Sequence, residues 1–116
     1  MKNRLAQHGI LVFLLFAACS LLAQGRGEGQ LRTLSGRVVN AQEQPLQKAV
    51  VYLKNTRTLA IKTYITEPDG SYRFTALSPN VDYEVYAESQ GARSDTKTLS
   101  AFDNRKQATF TLKVRK

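Results

Sequence analysis

From Leu34 onward the apolar residues fall on alternate positions in short runs, and this period of two constrains the fold more than anything else in the chain. Side chains of an extended strand point to opposite faces in turn, so each run buries one row and wets the other. Leu34, Gly36 and Val38 share one parity, and Ala49, Val51 and Leu53 share another. Leu59, Ile61 and Ile65 do the same, with Thr63 between them. Tyr83, Val85 and Ala87 alternate with Glu84, Tyr86 and Glu88; Ala108, Phe110, Leu112 and Val114 alternate with Thr109, Thr111, Lys113 and Arg115.

Turn-forming clusters separate the runs: Asn40 to Pro45, Asn55 to Thr58, Pro68-Asp69-Gly70, Ser78-Pro79-Asn80, Ser89-Gln90-Gly91 and Asp103-Asn104. The spacing predicts about seven strands and no helix. Strands with one apolar face must pair those faces, so the expected fold is all-β, a small antiparallel β-sandwich over residues 34–116. No internal repeat or second domain is visible.

The N-terminus differs in character. Lys2 and Arg4, with no acid, precede a mostly apolar run from Ile10 to Ala23, the pattern of a secretory signal peptide over residues 1–23. The run is shorter than the roughly 20 residues a spanning helix needs, so no transmembrane helix is expected in the mature chain. A second reading attaches to Cys19: Phe16-Ala17-Ala18-Cys19 resembles a lipobox, which would make the product a membrane-anchored lipoprotein. Residues 24–33, glycine-rich and without period, read as a flexible leader.

Cleavage after Ala23 removes the only cysteine, Cys19, and the only histidine, His8; the chain has no tryptophan. A mature chain without thiol or imidazole excludes Cys/His zinc sites, cysteine nucleophiles and Ser-His-Asp triads. Its formal charge of +8 falls to +6 with Lys2 and Arg4 gone, and the remaining positives are scattered over strand exteriors and the tail. That distribution predicts a solvated face and no nucleic-acid partner.

Pro68-Asp69-Gly70 offers a fixed φ, an Asx side chain and a residue free to take positive φ, which is a tight-turn recipe. Tyr72 and Phe74 then share one side of the next strand. In order, Ser35-Gly36-Arg37-Val38-Val39, Gln44-Pro45-Leu46, Ala49-x-Val51-x-Leu53 and Thr66-x-x-Asp69-Gly70-x-Tyr72-x-Phe74-x-x-Leu77-x-Pro79-x-x-x-Tyr83-x-Val85-x-Ala87 resemble the carboxypeptidase regulatory-like domain. The resemblance implies a seven-stranded transthyretin-like (prealbumin-like) sandwich, a non-catalytic module found beside metallocarboxypeptidases and on exported bacterial proteins. It implies no catalytic residues and no cofactor. The fold-signature residues are Gly36, Pro45, Asp69, Gly70, Tyr72, Phe74, Pro79 and Tyr83. The family's usual glycine after the second corner is Asn80 here, which tolerates the left-handed region. Tyr83 fits a tyrosine corner, with its hydroxyl bonded to upstream backbone.

Glu67, Asp69, Asn80 and Asp82 could be imagined as Ca²⁺ ligands, but their irregular spacing beside two turns favours turn chemistry and no metal is expected. No pair of carboxylates is positioned for hydrolysis. Lys54, on the wet parity of its strand, is not placed for an intramolecular isopeptide. Tyr52, Tyr64 and Tyr86 take the outward parity as read from the runs, and they form the candidate binding surface. Two partners suit such rings: an envelope or secreted protein, for which the domain would act as scaffold, or a polysaccharide. A detached accessory domain of a hydrolase is a third reading.

Overall fold

The computed structural model describes residues 30–115, so the expected signal peptide, Cys19 and residues 24–29 of the expected leader lie outside the described residues. Eight strands follow in chain order: β1 (Arg32–Val39), β2 (Val50–Asn55), β3 (Ile61–Ile65), β4 (Ser71–Leu77), β5 (Tyr83–Ser89), β6 (Ala92–Arg93), β7 (Lys97–Leu99) and β8 (Gln107–Lys113). They form an all-β sandwich of a three-stranded sheet, β4-β1-β8, and a five-stranded sheet, β3-β2-β5-β6, in which β7 also pairs with β5. The count exceeds seven because the run after Gly91 splits into two short strands along one edge of β5. No described residue is helical, and no described segment is a helix long and apolar enough to cross a membrane.

The pairs are antiparallel except one: β1 and β8 run parallel, from Thr33 opposite Gln107 to Val39 opposite Lys113. A parallel pair cannot be closed by a tight turn, and here the two partners are the first and last strands. β1 begins at Arg32, two residues inside the stretch whose composition reads as leader.

Between the sheets lies one apolar cluster that includes Leu34, Val38, Tyr72, Phe74, Ala108 and Leu112 from the first sheet and Val51, Leu53, Val85, Ala87 and Leu99 from the second. Each large apolar side chain buried there contributes about 1.5–3 kcal/mol. In β2 and β5 the buried row is the one the alternation marks.

β3 is the exception, and it reverses the parity expected for Tyr64. Lys62 lies opposite Leu53 and Tyr64 opposite Val51, on the inner row, while Ile61, Thr63 and Ile65 lie opposite Lys54, Tyr52 and Val50 on the outer row. The register is pinned beyond the strand by buried Thr66. Its N–H donates to the Ala49 carbonyl, and its hydroxyl accepts from Ala49 N–H and donates to the Leu46 carbonyl. A one-residue slip would undo all three bonds. Ile61 and Ile65 are therefore left 55% and 64% exposed.

The corners show why particular residues stand where they do. Gly70 (φ 79°) follows a turn closed by its N–H to the Glu67 carbonyl, and a side chain there would meet the Val38 carbonyl, Pro45 and Leu46. Pro45 itself bridges to Val39. Asp69 accepts from Ser71 N–H, and hydrogen bonding from Ser71 holds its carboxyl below the usual carboxylate range. Gly36 leaves space for Tyr72, whose hydroxyl passes from β4 over β1 to donate to the Phe110 carbonyl on β8 at 2.7 Å. A Cβ on Gly36 would lie 1.8 Å from that carbonyl oxygen. At the second corner Tyr83 accepts Ser78 N–H at 2.9 Å. Pro79 is half-buried there, and Asn80 keeps a negative φ, so the left-handed conformation expected of it is not used.

Candidate functional site

The outer face of the five-stranded sheet carries the arrangement most unlike a plain solvated surface. Tyr52 on β2 and Tyr86 on β5 are register partners on that face, and their rings stack with centroids 4.9 Å apart and planes 18° from parallel. The Arg93 guanidinium, from β6, sits 3.8 Å from the centroid of the Tyr86 ring. Strand order places β5 between β2 and β6, so Tyr86 is flanked by Tyr52 on one side and Arg93 on the other. The result is a row of upright flat groups across three strands. Such a cross-strand aromatic pair contributes roughly 0.5–1.5 kcal/mol and an exposed cation–π contact about 0.5–1 kcal/mol.

Around this row lies an open depression of about 330 Å³, lined by Tyr52, Lys54, Ile61, Glu84, Tyr86 and Arg93, together with Thr96. Exposed Ile61 and Ile65 continue the surface along β3. The face thus joins aromatic and aliphatic groups at its centre to charged groups of both signs at its rim, the composition typical of protein interfaces.

Of the three tyrosines expected to share a surface, the structure brings two together. Tyr64 points inward, packs edge-on against Phe74 of the facing sheet at 6.1 Å, and joins the margin of the core. Its hydroxyl donates to Glu67 Oε1 at 2.9 Å, and that bond raises its pKa above the ordinary phenol value. Lys54 lies on the outer face, at the rim of the depression. Glu67, Asp69, Asn80 and Asp82 do not converge: Glu67 takes the Tyr64 hydroxyl, Asp69 caps its own turn, the Asn80 carbonyl accepts from Arg57, and Asp82 accepts the Ala101 N–H. Among the described residues there is no group of three or more His, Cys, Asp or Glu able to hold a metal ion.

Two residues escape a reading based on parity. Arg93 sits in a strand of two residues, too short to show any alternation. Arg32 is 2% exposed, and its guanidinium donates to four carbonyls: Ser100 and Asp103 from Nη1, Ser78 and Val81 from Nη2. It ties the start of β1 to both loops at that end of the sandwich, which is a structural task.

The comparisons with known proteins bear on fold more than on ligand. The family described as carboxypeptidase regulatory-like domain matches residues 33–113. Among solved structures, 3-chlorocatechol 1,2-dioxygenase from Rhodococcus opacus aligns at 12% identity with a TM-score of 0.61, covering 77% of this chain and 61% of its own. BcpA, the major pilin subunit of Bacillus cereus, aligns at 13% identity and TM-score 0.56, covering 75% of this chain and 30% of its own. The dioxygenase domain of a dioxygenase and carbohydrate-binding fusion from Streptomyces sp. SirexAA-E aligns at 17% identity and TM-score 0.55, covering 76% and 81%. The chain therefore spans less than two thirds of the first two, and at these identities the likeness concerns the sandwich alone. No curated protein is similar enough to the chain to count as a relative.

Proposed function

We propose, since the chain belongs to the carboxypeptidase regulatory-like domain family, that it is a non-catalytic interaction module that receives a protein partner on the outer face of its five-stranded sheet. The observation that carries this reading is the Tyr52–Tyr86–Arg93 row beside exposed Ile61 and Ile65. Upright stacked rings offer edges and hydroxyls in a fixed geometry, which suits the rigid aromatic anchors of protein recognition. Sugar binding asks for an open ring face, and both flanks of Tyr86 are taken, so the polysaccharide alternative is the weaker one.

The expected place of action is the cell envelope or the exterior, reached through the signal peptide over 1–23. Intact mass of the exported protein tests that route: a chain starting at Gln24 supports cleavage after Ala23, and a diacylglycerol-modified Cys19 would replace it with a lipid anchor.

The binding surface is tested with Tyr86→Ala and Arg93→Glu. One defined envelope protein retained by the parent and released by both variants, with thermal melts preserved, supports the proposal. Retention of a polysaccharide that both variants lose would overturn it in favour of carbohydrate binding, and peptide cleavage by the purified chain would overturn its non-catalytic half.

A further inference from the structure

We infer that β3 is a self-pairing edge, at which a second copy of this chain adds antiparallel and joins the two five-stranded sheets into one. Among the described residues β3 ends its sheet, with β2 as its single strand neighbour. The hydrogen bond from Asn55 N–H to the Ala60 carbonyl and the one from Thr66 N–H to the Ala49 carbonyl fix which residues bond across the β2–β3 ladder. With alternation of bonded and non-bonded pairs, Lys62 and Tyr64 bond to β2, whereas the N–H and C=O groups of Ile61, Thr63 and Ile65 point to the open edge. The same three residues carry the outer row, and all three are exposed.

The segment Ile61-Lys62-Thr63-Tyr64-Ile65 is complementary to itself about Thr63. In antiparallel pairing centred there, Thr63 meets the second copy's Thr63 and each Ile61 meets an Ile65. Three pairs of the bonded kind result, giving about six backbone hydrogen bonds. On the inner row each Lys62 lies opposite a Tyr64 whose hydroxyl already holds the Glu67 carboxylate, so a cation is brought to an anion on both sides of the axis. Lys62 has no ion-pair partner among the described residues. A register centred on Lys62 instead would set the two lysines against each other and lose one bonded pair, which selects the Thr63 register.

Edge strands with exposed apolar rows are the ones that recruit further strands, and natural sheets that avoid this place charges, lysine above all, on the edge strand. The outer row of β3 is Ile-Thr-Ile, with no charge, and the strand's one charge, the exposed Lys62 on the inner row, is met in the Thr63 register by the second copy's Tyr64–Glu67 pair. Pairing would cover the two isoleucines against each other and bring two Tyr52–Tyr86–Arg93 rows onto one continuous face. It shares Ile61 and Ile65 with the outer-face surface but uses backbone at the sheet edge and not the aromatic row, so the two readings fail separately: Tyr86→Ala should leave the pairing unchanged.

Sedimentation equilibrium of the purified protein tests the pairing, with the double variant Ile61→Lys/Ile65→Lys to oppose like charges at both flanking pairs. The parent should show twice the monomer mass, and the double variant should dissociate at least about tenfold more readily with its melt retained. Cysteine mapping in a Cys19→Ser background reads the register independently. Thr63→Cys should oxidise to a linked dimer, because bonded antiparallel partners stand about 5.5 Å apart between Cα atoms. Ile61→Cys should link with Ile65→Cys but not with itself. A parent that stays monomeric at every concentration, a double variant that dimerises as well as the parent, or Ile61→Cys linking to itself as readily as Thr63→Cys would each overturn the inference.

Discussion

Arg32 shows how much one side chain can organise without touching a ligand. Its charge is buried with no ion-pair partner among the described residues and is met by four carbonyls from two loops. Arg32→Ala leaves those carbonyls unsatisfied and should cost about 3 kcal/mol in urea unfolding. Gly36 has the opposite role, since it is needed for what it lacks. Gly36→Ala would push the Phe110 carbonyl out of reach of the Tyr72 hydroxyl and should destabilise by about 3 kcal/mol, against about 1 kcal/mol for Tyr72→Phe in the same assay. At the surface, Arg105 bonds to Asp103 and holds its carboxyl down to about 2. That pair's contribution is present above the usual carboxylate range and fades as pH falls toward about 2. Carboxyl-carbon NMR should find the Asp103 midpoint there, and Arg105→Gln should move it up toward the ordinary range, held partly down by the Arg105 backbone N–H bond that the substitution keeps. Neither Arg32 nor the Tyr72–Gly36–Phe110 contact can be read from local pattern, because each depends on strands far apart in sequence. The turn at Pro68-Asp69-Gly70 can, because its chemistry is local.

At the scale of the element, alternation works where a strand is covered on one side along its whole length and fails where it overhangs. β2 and β5 lie inside their sheet, and their buried rows match their apolar parity. β3 lies at the rim, where Thr66 and the Ala60 carbonyl set the register and the isoleucines are carried outward. Apolar residues are common on surfaces, so an exposed isoleucine contradicts no rule, and parity alone cannot reveal it. The sandwich and two of the three surface tyrosines were thus legible from the chain, while Tyr64 and Arg93 were not. The contrast is measurable: Ile65→Thr should change monomer stability by no more than about 0.5 kcal/mol, whereas Leu53→Ala should cost about 2–5 kcal/mol. A large loss at Ile65 in a monomeric background would show the opposite register.

For the whole molecule, the family and the two-layer sandwich follow from the order of the turns and apolar rows, but the parallel union of β1 and β8 does not. Nothing in either strand's composition distinguishes a parallel neighbour from an antiparallel one when one face of each is buried. That union decides how the domain would bear mechanical load. The chain enters β1 at Arg32 and leaves β8 at Lys113, and in a parallel pair these points lie at opposite ends of the ladder. Tension between the termini therefore pulls along the strands and strains all the β1–β8 bonds together, in shear, where an antiparallel pair would open one bond at a time from its end. Placed in a chain under pull, the domain should extend abruptly at high force and resist gradual unzipping.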